Sequence, residues 1–407
     1  MGDVTGPAPR WIGVIAAVTL AQAVLSLMIR SLPLMGLPLT TAAGMPPEAV
    51  GQLAAATSFG SMIFFLWGVA LFSATPAMRL LMGGCVVAGL AMLAATWPSW
   101  PLLIAASLVI GLGYGPSAPA GSEILMTAVP KAHRSVVFSV KQAGVPLGGL
   151  AAGLLLPFVL LHGGLGAALS ASAAVAFAAA LGLALFLRGA PEAPPRRAPA
   201  PQGLAQALTA PVRLFRVLLG DGRLRAITVT GLGLGVAQGV LLSYYPVFLS
   251  AAAGFSLAAA GLAFAVLQGT GIGGRILMGW LADRIGSASR TLAWLALASA
   301  ATMGLVALIG AGTPHWVVLA VSALAGLAVV SWNGVFLAGL AAAAPEGRVA
   351  EVTSAGTFVI FAGYVITPLV IGGVIALTGS YALAFAVSAL PALAGGLSLL
   401  ARGREAD

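Results

Sequence analysis

Charge is what this chain has least of. Asp, Glu, Lys and Arg together make up 7% of its 407 residues, where a soluble domain carries about a quarter. A water-soluble fold is excluded on that ground. One cysteine, Cys85, lies in an apolar run, which excludes a disulfide framework or a cysteine-built metal cluster. The three histidines, His133, His162 and His315, are scattered through predicted loops and read as solvated surface. No Walker loop, no HExxH and no nucleophile–base set is visible. An enzyme, a bound metal and a cofactor are therefore not expected.

What is present is oil and glycine. Hydrophobic residues make up 60% and glycines number 54, as expected where small residues let membrane helices pack closely. The formal charge of +9 does not point to nucleic acid, because no basic stripe with interleaved aromatics appears. The basic residues fall between apolar segments and mark the cytoplasmic side. The apolar segment after Arg10 is too long for a signal peptide and lacks a clear cleavage site, so it reads as an uncleaved first helix.

A bilayer core needs about 20 apolar residues per helix. Segments near 11–39, 48–72, 78–97, 100–127, 135–161, 164–187, 225–250, 256–282, 290–311, 314–341, 349–377 and 380–401 qualify. The reading is an all-α polytopic membrane protein of twelve spans, with both termini cytoplasmic. A proline-rich basic linker over 188–224 contains an amphipathic stretch at 204–220 suited to the inner interface. It divides an N-terminal half, 1–187, from a C-terminal half, 225–407.

The halves repeat. Ala21-Gln22-Ala23-Val24-Leu25 matches Ala237-Gln238-Gly239-Val240-Leu241, as parallel six-helix repeats would require. Between the eighth and ninth segments stands Gly279-x-x-x-Asp283-Arg284-x-Gly286-x-x-x-Arg290. It resembles the loop signature of the major facilitator superfamily, which implies a secondary transporter working by alternating access. The resemblance gives Gly279, Asp283, Arg284, Gly286 and Arg290 to an inner gate, with Gly279 allowing close helix approach. In the first half the acidic position is Phe72, so inner closure leans on the second half, with Glu123 and Glu351 at neighbouring helix ends. Gly144-Val-Pro146-Leu-Gly148-Gly149 is similar to the antiporter motif of the family's drug exporters, with Val145 in place of a glycine; a packing kink is the alternative.

A cation inside the bilayer costs at least about 2.5–3.5 kcal/mol and is usually functional. Of the 19 Lys and Arg, three fall within apolar segments: Arg30, Lys141 and Arg275. In the family the fifth and eighth helices face each other. Lys141 and Arg275 lie at matching depth on them, without a carboxylate at that level, so an anionic substrate between them is expected. The alternative is that both snorkel to the inner headgroups. Arg30 either snorkels outward, if its helix stops there, or faces the cavity mouth, if the helix continues to Leu39. Arg275-x-x-x-Gly279 also resembles the eighth-helix arginine of monocarboxylate and oxalate–formate carriers, which holds a carboxylate. Their eleventh-helix lysine has no counterpart among Ala355, Gly356, Phe361 and Tyr364. Gln22, Gln142, Gln238, Tyr244, Gln268, Asn333 and Tyr364 are further cavity candidates, with interhelical bonding or the interfacial belt as alternatives.

The expectation is therefore a monomeric inner-membrane carrier of a small organic anion, resembling mono- or dicarboxylate transporters. Its partners would be that substrate and the surrounding lipid. An exporter of drugs or amphipathic metabolites is the second reading, and a non-transporting receptor the third.

Overall fold

Hydrophobicity of this density allows one local solution in a membrane: helices that satisfy their own backbone. The computed structural model describes residues 10–67, 75–97, 99–128, 134–189, 216, 218, 220–345 and 349–404, and it is helical nearly throughout. Ten stretches are long and apolar enough to cross a bilayer. The longest, Val140–Arg188, covers 49 residues and divides into two spans at Gly164, whose φ of 77° is left-handed backbone that favours glycine. Val50–Trp67 completes the twelve.

Three segments expected to be continuous are broken. The first runs Arg10–Leu34 and resumes as Gly36–Ala42. The fourth is Trp100–Tyr114 followed by Ser117–Ala128, because Pro116 and Pro119 remove two ladder donors. The tenth is His315–Ala328 followed by Asn333–Ala343. No proline causes that break; the Ser331 hydroxyl instead donates to the Gly326 carbonyl at 2.7 Å. The remaining C-terminal spans are Gly222–Val247, extended by a wide turn over Phe248–Ala252, then Leu257–Ile285, Ala288–Ala307, Val349–Thr378 and Tyr381–Arg404. Ala77–Ala94 is the third span. The linker lies outside the described residues except at its edges, where Arg216 is exposed and Leu218 buried.

The signature sequence is a helix stop followed by a helix start. Gly286 ends the eighth span at φ 70°, and the Ser287 hydroxyl accepts from the Arg290 N–H to cap the ninth. We call this the signature end and the opposite one the far end.

Among the described residues the first six spans meet the last six chiefly through the fifth with the eighth and the second with the eleventh, and the seventh also meets the first and the second. At the far end this seam is tight. A Cβ on Gly51 would overlap the Tyr244 hydroxyl and the Pro368 carbonyl, and one on Gly36 would meet Val247 and Val50. Gly153 and Gly261 pack backbone to backbone, each lying against the other's carbonyl.

Candidate functional site

The seam between the fifth and eighth spans has a regular register. Going from the far end inward, Gly261 lies on Gly153 and Pro157, then Gln268 lies on Gly149, then Arg275 reaches Gln142. The eighth-span residues are spaced seven apart, two helical turns, so they form one face. Arg275 is the first charge on it. It precedes the helix end at Ile285 by ten residues, about 15 Å at 1.5 Å per residue.

Arg275 Nη1 donates to the Gln142 backbone carbonyl at 3.2 Å, its one hydrogen bond among the described residues. Its Nε is buried without a partner. Arg30 on the first span is its electrostatic neighbour, and both guanidinium groups lie within electrostatic reach of the hydroxyls of Tyr114 and Tyr364. The Arg30 Nε is likewise buried and unpartnered. Neither arginine has a carboxylate partner among the described residues. Both side chains are half-buried.

Hydrogen-bonded amides frame the arginines. Gln22 Nε2 donates to Gln142 Oε1 at 3.2 Å. The Tyr364 hydroxyl donates to Gln238 Oε1 at 2.8 Å, and Asn333 Nδ2 reaches the same oxygen at 3.4 Å. Below them Phe361 meets Tyr364 edge-on at 5.7 Å between centroids and Phe65 at 4.8 Å. The equivalent glutamines of the two halves thus each brace one wall. Gln22 ties the first span to the fifth, and Gln238 ties the seventh to the tenth and eleventh.

The expected pairing of cations is corrected. Lys141 is 2% exposed, and its ammonium lies 3.3 Å from where a Cβ on Gly121 would stand, beside Val18. It therefore turns into the first six spans, and the cation beside Arg275 is Arg30. The reason is rotational. Neighbouring helical residues point about 100° apart, so Gln142 at the seam turns Lys141 away from it. Arg30 has a buried Nε and Tyr114 and Tyr364 as electrostatic neighbours, and the chain beyond it stays helical to Leu34 and again over Gly36–Ala42.

Other expected residues divide between walls and packing. Tyr244 is fully buried at the far end, its hydroxyl on the Pro368 carbonyl at 2.5 Å. Gln268 is buried over Gly149, with Oε1 unpartnered. Gly144 and Gly148 let the fifth span approach the Thr19 and Ala23 carbonyls, and Pro146 is buried between them. Packing thus accounts for the glycines of the antiporter-like motif. At the signature end Asp283, Arg284, Gly286 and Arg290 are exposed, with the Arg284 guanidinium 5.5 Å from the Trp280 ring centroid. Among the described residues Gly279 makes no close approach: a Cβ there would meet none of them within 4 Å. Glu123 is half-buried, and the Glu351 side chain and Phe72 lie outside the described residues.

Tyr114 was not anticipated. It is the one tyrosine in the first half and sits mid-segment, too deep for the interfacial belt, and that position is the signal that marks it. A hollow of about 520 Å³ at the far end, lined by Leu37, Pro38, Leu160, Leu165, Phe255 and Leu257 among others, holds none of the candidate residues.

Comparison with known proteins agrees with this architecture. The family model "Major Facilitator Superfamily" matches residues 18–368. Uncharacterized MFS-type transporters from two strains of Mycobacterium tuberculosis are 28% identical over 333 residues, covering 82% of this chain and 72% of theirs. Among solved structures, the peptide transporter POT in complex with sulfate aligns at TM-score 0.79 with 15% identity, over 100% of this chain and 96% of that one. A mutant of the nucleoside transporter NupG aligns at 0.77 with 13% identity, over 95% and 99%.

Proposed function

The chain belongs to the Major Facilitator Superfamily, and from that premise we propose that this secondary transporter carries a small organic anion held between Arg30 and Arg275. One observation carries the reading: two arginines from opposite halves lie within electrostatic reach of each other inside the spans, each with a buried Nε that has no partner among the described residues. Like charges at that depth repel unless something negative joins them. An arginine fork matches a carboxylate in shape and charge. A mono- or dicarboxylate binding there would neutralise both halves at once and favour the arrangement in which they approach. The Tyr114 hydroxyl, within electrostatic reach of both arginines, would add a donor to the same anion. The basic residues clustered at the signature end support a cytoplasmic placing for it, in a bacterial-type inner membrane.

Uptake of radiolabelled carboxylates into proteoliposomes tests the reading. Saturable anion uptake that Arg275→Ala abolishes supports it. Transport of a cationic or neutral amphipath, unchanged by Arg275→Ala, would replace it with the exporter.

A further inference from the structure

Helix chemistry explains why Arg275 finds a backbone partner. In a helix the N–H of one residue bonds the carbonyl four residues earlier. The donor for the Gln142 carbonyl would be residue 146, which is Pro146, and proline has no N–H. The oxygen left without a helical partner is the one that accepts from Arg275 Nη1. The same helix repeats the device eleven residues, about three turns, further on. Pro157 leaves the Gly153 carbonyl without its donor, and that oxygen faces Gly261 of the eighth span. Both freed carbonyls of the fifth span lie on the seam.

We propose that Pro146 is the positioning residue of Arg275. The missing N–H leaves an acceptor that anchors Nη1 and holds the Nε–Nη2 edge free for the ligand. The anchor crosses between the halves, so the guanidinium is oriented only while the fifth and eighth spans are in contact at this level. The anchor itself is independent of what is carried; its effect on affinity rests on the anion reading above.

The test uses full-length purified protein without substrate. Phenylglyoxal labelling of Arg275 is followed by mass spectrometry of its peptide. Pro146→Ala restores the N–H, returns the Gln142 carbonyl to its helix, and is expected to raise the labelling rate about tenfold, the order of one hydrogen bond to a charged group. Pro146→Ser restores the same N–H and serves if the alanine variant does not express. Pro157→Ala removes a proline from the same helix without touching residue 142 and should leave the rate unchanged. Unchanged labelling in both Pro146 variants, or an equal rise in Pro157→Ala, overturns the proposal. In proteoliposomes Pro146→Ala should raise the carboxylate KM about tenfold with the maximal rate kept within about twofold. It should add nothing to Arg275→Ala, and an equal added loss there counts against it. If no carboxylate is carried, the anion reading fails while the labelling still decides the role of Pro146.

Discussion

Two levels of one seam differ in how complete they are. At the far end, beside the hollow, the helices of the two halves meet closely at two places: Gly51 lies under Tyr244 and Pro368, and Gly153 and Gly261 lie against each other's carbonyls. One level inward Arg30 and Arg275 each present a buried Nε–H with no acceptor among the described residues. A folded chain normally satisfies its buried polar groups. The far end therefore reads as a finished contact, and the arginine level as one that a second molecule completes.

The largest effect expected of any substitution comes from removing the incomplete side. Arg275→Ala loses a charge-assisted, forked contact of about 3 kcal/mol, so carboxylate transport efficiency should fall about 100-fold. Arg275→Lys keeps the charge but not the fork and should recover part of it. Arg30→Ala should cost about tenfold in the same uptake assay, since Arg275 still holds the anion.

The complete side breaks differently. Gly261→Leu drives a side chain into the Gly153 carbonyl and Pro157, an overpacking of about 1–3 kcal/mol. The far end then cannot close. Uptake should drop several-fold, roughly 5-fold, while carboxylate binding to the detergent-solubilised protein persists. Equal loss of binding and uptake would mean that the two levels are not separable. The smallest effect sharpens the contrast: Lys141→Met should leave the carboxylate KM within about twofold, because the ammonium faces Gly121 and Val18 rather than the seam. A tenfold rise would return Lys141 to the site.

Much of this was legible in the residues. Apolar runs of about 20 residues delimit spans because lipid offers the backbone no partner. Arg30 and Arg275 stood out for the same reason, as charges in oil. What sequence left open was rotation. Depth along a helix follows from counting, but the face a residue presents depends on the neighbours, so Lys141 was set opposite Arg275 when its adjacent residue, Gln142, holds that place. Tyr114 escaped because an aromatic in an apolar run carries no charge to mark it. The break at residues 329–332 escaped because a serine back-bond, unlike a proline, has no unique signature. Gly279 was expected to make a close contact, and among the described residues it makes none.

The account turns on whether a negative ligand joins the two arginines, and thermal unfolding of the purified protein against a panel of carboxylates, with neutral and cationic analogues, measures that most directly. A ligand that binds the folded state raises its melting temperature, by about 2.7 kcal/mol of stabilisation at 100 times Kd. The account predicts that at least one carboxylate raises the melting temperature of the wild type and leaves the Arg30→Ala/Arg275→Ala double variant unmoved. A carboxylate that stabilises both proteins equally, or stabilisation by the uncharged or cationic analogues alone, would contradict it.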